Sequence, residues 1–188
     1  MTQQEVLNRL KEGNQRFVSD KLDGKLQNSS RRENLVNGQS PYAIILSCAD
    51  SRVVPELAFD TGLGELFVIR IAGNVANRSS VASIEYAVAH LGTKVIIVLG
   101  HESCGAVTAA IAGGDNGTNL NHLLSHISQA INDSGSNANL ETVVKKNAKI
   151  NAHELLKKST IIAEAVQNTG LQIVPAYYNL DSGKVDFL

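Results

Sequence analysis

Tryptophan is absent from this 188-residue sequence, and cysteine occurs only twice, at Cys48 and Cys104. Two cysteines are too few for a disulfide scaffold, and they exclude a zinc shell of three or four thiolates within one chain. No apolar run approaches the roughly 18 to 20 residues of a membrane-spanning helix. The opening Met1-Thr2-Gln3-Gln4-Glu5 also lacks the basic start and apolar stretch of a signal peptide. A cytoplasmic protein with no membrane partner is therefore expected. Charge of one sign is lacking too: 17 basic against 18 acidic residues leave a net charge of -1. No global field draws such a chain to nucleic acid, so none is expected as a partner. What remains, 43% hydrophobic and 19% charged residues, suffices to bury a core in one domain.

Four apolar runs, at 42–47, 66–72, 95–100 and 171–176, alternate with helical patterns. This alternation predicts a single α/β domain over residues 41–188, with a mainly parallel sheet of four strands and helices on both faces. The turn Asp181-Ser182-Gly183-Lys184 returns Val185 to Leu188 as a short C-terminal edge strand. Val6, Leu7, Leu10, Phe17 and Val18 fall at helical spacing, and the polar stretch from Asp20 to Ser40 reads as a linker. Residues 1–40 are thus expected to form an N-terminal helical arm and linker. Ser79 to Leu91 reads as a helix capped by a serine, and Gly105 to Ala110 as the start of a closely packed one. Loop signals at Asp115 to Thr118 and Asn132 to Asn139 bracket a short helix, and Leu140 to Asn168 is one long or broken helical region.

Each cysteine follows an apolar run, within Ser47-Cys48-Ala49-Asp50-Ser51-Arg52 and Gly100-His101-Glu102-Ser103-Cys104-Gly105. If those runs are neighbouring parallel strands, Cys48, His101 and Cys104 meet at one carboxyl-terminal sheet edge, where open α/β sheets bind ligands. Two thiolates and one imidazole make a zinc shell with one position left over, as in a catalytic site. Alone, Cys48 would read as a small core hydrophobe and Asp50–Arg52 as an ordinary ion pair. His101 and Cys104 could be a base and a nucleophile, yet that leaves Cys48 and Asp50 unexplained. His122 and His126, four residues apart, would share a helix face, but no third ligand accompanies them and a surface or interface role is expected. His90 and His153 read the same way.

The joined pattern, Cys-x-Asp-x-Arg followed by His-x-x-Cys, resembles β-class carbonic anhydrases. The likeness extends to Leu10 through Phe17, Gly38-Gln39-Ser40-Pro41, Arg70-Ile71-Ala72-Gly73-Asn74 and Ser83 through Ala87. It implies Zn²⁺ on Cys48, His101 and Cys104, with Asp50 and Arg52 as a catalytic dyad. A guanidinium bonded at two points keeps the carboxylate ionised and turned away from the metal, which Asp50 would bind only in a closed state. Gln39, Phe67, Ala72 and Tyr86 match substrate-binding positions, and Gly105, at a helix start, is placed to present its backbone N–H to an anionic product. Valine is more usual at the place of Ala72, which widens the expected pocket. Ile45 stands where the bicarbonate-regulated type carries tryptophan, so the accessible, plant-like type is expected.

The implied reaction is reversible hydration of CO2 to bicarbonate and a proton by zinc-bound hydroxide. Two thiolates neutralise the metal's charge and acidify its water less than imidazoles would, which favours alkaline pH. A homodimer or an assembly of dimers is implied, with the N-terminal arm wrapping a partner, whereas the apolar positions of residues 5–18 by themselves fit this chain's own core equally. The alternatives are hydrolysis of carbonyl sulfide or carbon disulfide on the same fold, and a zinc-stabilised structural or bicarbonate-binding subunit.

Overall fold

The computed structural model describes residues 1–188. Helix α1 (Gln3–Val18) begins at a capping box: the Thr2 hydroxyl accepts from the Glu5 amide, and the Glu5 carboxylate accepts from the Thr2 amide. Its apolar stripe lies on this chain's own sheet, with Val6 and Leu10 fully buried. Close approach is possible because residue 13 is glycine; a Cβ there would stand 1.9 Å from the Phe59 carbonyl oxygen. Asn14 completes the docking, its amide donating to the Ala58 and Gly183 carbonyls and accepting from the Val185 amide.

Within residues 1–40, the expected helix therefore covers this chain's own core. The expected linker also contains a helix, α2 (Ser29–Leu35), capped by the Asn28 side chain, which accepts from the Arg31 amide at 3.0 Å.

The sheet runs β2-β1-β3-β4-β5, built from β1 (Ala43–Ser47), β2 (Leu66–Arg70), β3 (Val95–His101), β4 (Gln172–Tyr178) and β5 (Val185–Phe187). The first four are parallel and β5 pairs antiparallel with β4, as expected. Central strands β1 and β3 are buried at every position, which is why both read as unbroken apolar runs. Alternate residues serve opposite faces. Ile45, Ile97 and Leu99 meet α1, while Ile44, Leu46, Ile96 and Val98 share a core with residues of α4 (Arg78–Leu91), α8 (Leu140–Lys158) and α9 (Thr160–Thr169).

The chain steps from β1 outward to β2, then crosses back to β3 on the other side of β1. That reversal makes the carboxyl ends of β1 and β3 the topological switch point. The expected helical region at 140–168 divides at Ser159, whose extended backbone ends α8 and whose hydroxyl accepts from the Ile162 amide to start α9. Helix α4 is capped by Asn77 rather than by a serine. Between β3 and α8 lie three short helices, α5 (Gly105–Ala112), α6 (Thr118–Ser125) and α7 (Ser128–Ser134), one more than the loop signals indicated. The four-residue α3 (Pro55–Ala58) completes the set.

Candidate metal centre

Register places the two cysteine segments together. Ser47 pairs with Leu99, so Cys48 leaves β1 level with the end of β3, where His101 is the last strand residue. Ser103 adopts φ 54°, a left-handed turn that brings Cys104 back toward His101 before α5 begins. The ligating atoms of Cys48, His101 and Cys104 then lie within 4.8 Å of one another, and all three residues are buried.

Each donor is held by backbone groups. His101 Nδ1 bonds the Glu102 carbonyl oxygen at 2.8 Å, and the Glu102 backbone is held in turn by its amide donating to the Tyr178 carbonyl. Nε2 is left buried with no hydrogen-bond partner. A buried, unpaired imidazole nitrogen facing two thiols is costly unless a cation occupies the space between them.

On the other side, the Gly73 amide donates to Cys48 Sγ at 3.3 Å. The Cys104 thiol, together with His101 and the Gly73 and Asp50 amides, pulls Cys48 down to about 4 against the effect of burial. Cys104 is pushed up by that neighbouring sulfur and by burial. Ionisation of one thiol thus opposes that of the other, and a dication between them would let both ionise.

The Asp50 carboxylate stands beside this trio, its Oδ2 3.9 Å from His101 Nε2. Arg52 holds it at both oxygens, Nε to Oδ1 at 2.9 Å and Nη2 to Oδ2 at 2.7 Å, and the Arg52 amide adds a third bond. These bonds keep Asp50 far below the usual carboxylate range. The same guanidinium reaches the Ser103 carbonyl at 3.3 Å, bridging the two ligand segments.

Arg70, for which the sequence offered no role, anchors the first segment by donating to the Cys48 carbonyl at 3.1 Å and to the Asp50 carbonyl. Its signals were its place at the end of an apolar run and in the resembling segment Arg70 to Asn74, neither of which names a partner.

The expected substrate-binding residues divide into two groups. Ala72 precedes Gly73 in the short 3₁₀ turn beside Cys48, and Gly105 opens α5 next to Cys104, exposed to solvent. Phe67 instead pairs with Ile44 in the body of the sheet, and its ring stacks near Tyr86 on α4, centroids 6.2 Å apart. Gln39 lies in a surface depression with Arg32, Leu35 and Leu63, before the amino-terminal end of β2 and thus at the opposite edge of the sheet. Within one chain, Gln39, Phe67 and Tyr86 do not line the three-donor site. His122 and His126 pack edge to face at 5.3 Å and take no part in it.

A family model described as carbonic anhydrase matches residues 43–185. Carbonic anhydrase 2 of Mycobacterium tuberculosis is 40% identical over 182 residues, covering 93% of this chain and 87% of that protein. Among solved structures, one of the tetrameric β-carbonic anhydrases of Sordaria macrospora superposes with a TM-score of 0.76 at 26% identity, over 84% of this chain and 85% of that one. The β-carbonic anhydrase CcaA gives 0.77 at 28% identity, over 97% and 98%. This chain belongs to the β-class carbonic anhydrases. Zinc is the metal of β-class carbonic anhydrases, and a buried set of two thiols and one free imidazole nitrogen fits it. The carbonic anhydrase match begins at the start of β1 and ends at the start of β5, so it spans both ligand segments.

Proposed function

We propose that this β-class carbonic anhydrase interconverts CO2 and bicarbonate at a zinc ion held by Cys48 Sγ, His101 Nε2 and Cys104 Sγ. The carrying observation is the buried, unpartnered Nε2 within 4.8 Å of both sulfurs. Zinc, when bound, supplies the Lewis acidity that makes water a nucleophile at accessible pH. Asp50 remains ionised and acceptor-only, so it orients a water proton at Oδ2. Arg52 keeps that carboxylate from becoming a ligand and ties the two ligand segments together. Gly105 at the start of α5 is exposed, with open space where a side chain would stand, and its backbone N–H receives the anionic product.

Stopped-flow CO2 hydration from mildly acidic to alkaline pH, with zinc content measured alongside, tests this reading. Turnover by zinc-loaded protein and loss of zinc in Cys48→Ser are expected. Full zinc occupancy without turnover would overturn it.

A higher assembly fits the tetrameric relatives, and its unit is a two-fold dimer across the β2 edge. Support comes from an apolar patch there: Val36 is 79% exposed, Tyr86 51%, Leu57 46% and Leu63 42%. A two-fold axis perpendicular to β2 at that edge runs the two β2 strands antiparallel. Gln39, at the amino end of the sheet in one copy, then falls at the carboxyl end of the other, where the donors lie. A reducing compartment such as the cytoplasm suits the site, because two free thiols this close must stay reduced to hold metal.

A further inference from the structure

The turn that supplies the Gly73 amide to Cys48 is an unfavourable one. Gly73 has φ 72° and Asn74 φ 45°, two consecutive left-handed residues, of which only the first is glycine. Asn74 is fully buried and neither polar atom of its side chain has a partner. Such a conformation persists only where its surroundings over-determine it.

The restraint comes from α8. Asn147 and Asn151, one helical turn apart, are 0% and 3% exposed. The Asn147 amide donates to the Gly73 carbonyl at 2.8 Å. Asn151 donates to Asn147, at both its Oδ1 and its carbonyl, and its own Oδ1 accepts from the Ala76 amide at 2.6 Å. Lys158, on the same helix, closes the far side by donating to the Ala76 carbonyl at 2.9 Å.

The turn is thus gripped at residues 73 and 76. The Gly73 carbonyl and amide flank one Cα, so pinning the carbonyl aims the amide at Cys48 Sγ. Neighbouring inward positions of α8 are Val143, Val144, Ala148, Ala152 and Leu155. Two asparagines among them are expensive unless each amide is used, and the amides of both are.

We propose that Asn147 and Asn151 are positioning residues for the metal centre, acting through the Gly73 amide to hold Cys48 in ligating geometry. This rests on Cys48 being a zinc ligand. Asn147→Ala is expected to release zinc to a chromogenic chelator about tenfold faster than the unsubstituted protein, the lower end of what loss of an outer partner costs. It is also expected to shift the thiolate-to-metal charge-transfer band of cobalt-loaded protein. Leu10→Ala, on the opposite face of the sheet, serves as a destabilised control that leaves both readouts unchanged.

Zinc release from Asn147→Ala no faster than from Leu10→Ala would overturn this inference alone. Failure of the unsubstituted protein to bind zinc would overturn both it and the function above. Should Asn147→Ala not fold, amide exchange in the unsubstituted, zinc-free protein decides. Protection of the Gly73 amide is expected, and exchange at the rate of an open loop would refute the grip.

Discussion

Arg52 is half exposed, yet it makes four hydrogen bonds within the site: three to the Asp50 carboxylate, counting its amide, and one to the Ser103 carbonyl. Removing its side chain frees a carboxylate already 3.9 Å from His101 Nε2. Arg52→Ala is therefore expected to keep zinc while losing about 100-fold in CO2 hydration, and Asp50→Asn to lose a similar amount. Metal analysis and stopped-flow rates on the same samples check this, and unchanged turnover would assign the pair a merely structural role. The dyad was legible because both partners use side-chain atoms at a fixed spacing from Cys48. The roles of Gly73 and Arg70 were not, although both stand in a resembling segment, since the one acts through its amide and the other on carbonyl oxygens, groups that nearly every residue carries.

Among the elements, α1 shows how an amphipathic pattern can predict a helix without placing it. Its stripe predicted a helix with an apolar face, but periodicity does not say whose surface that face covers. Leu10 is fully buried in this chain's own core, beside Ile45 and Ile97. Leu10→Ala is expected to cost about 2–5 kcal/mol in urea unfolding. An arm lying on a partner would cost a single chain almost nothing, so a value within 0.5 kcal/mol would return α1 to that role. Helix α2 escaped notice for the opposite reason: its seven residues bury none of their side chains, and only the Asn28 cap marked it. Ser159 broke the 140–168 region because one hydroxyl at an extended residue can start a new helix as the previous one ends.

At the scale of the whole molecule, the single chain holds the donors and the dyad but leaves three expected pocket residues at a distance. Phe67 and Tyr86 flank the open β2 edge, with Val36, Leu57 and Leu63 exposed around its amino end. Tyr86→Glu places a charge in that patch and is expected to shift the sedimentation profile toward monomer, with a parallel fall in turnover. A profile identical to that of the unsubstituted protein would rule out this edge as the dimer contact. The sheet order carries the same lesson on a larger scale. The apolar runs predicted four parallel strands, but only the assembled order, with β1 between β2 and β3, puts the switch point at Cys48 and His101.

By itself, the sequence determined the identity of the ligands, the dyad beside them, and the shortage of thiols that leaves zinc one protein ligand short. Those properties depend on residue type and local spacing, which the chain carries however it folds. The tertiary structure alone decided which histidine nitrogen is free, which turn bonds Cys48, where α1 lies, and which pocket residues reach the donors. Each depends on atoms brought together from distant parts of the chain, through backbone groups and burial that residue type does not encode.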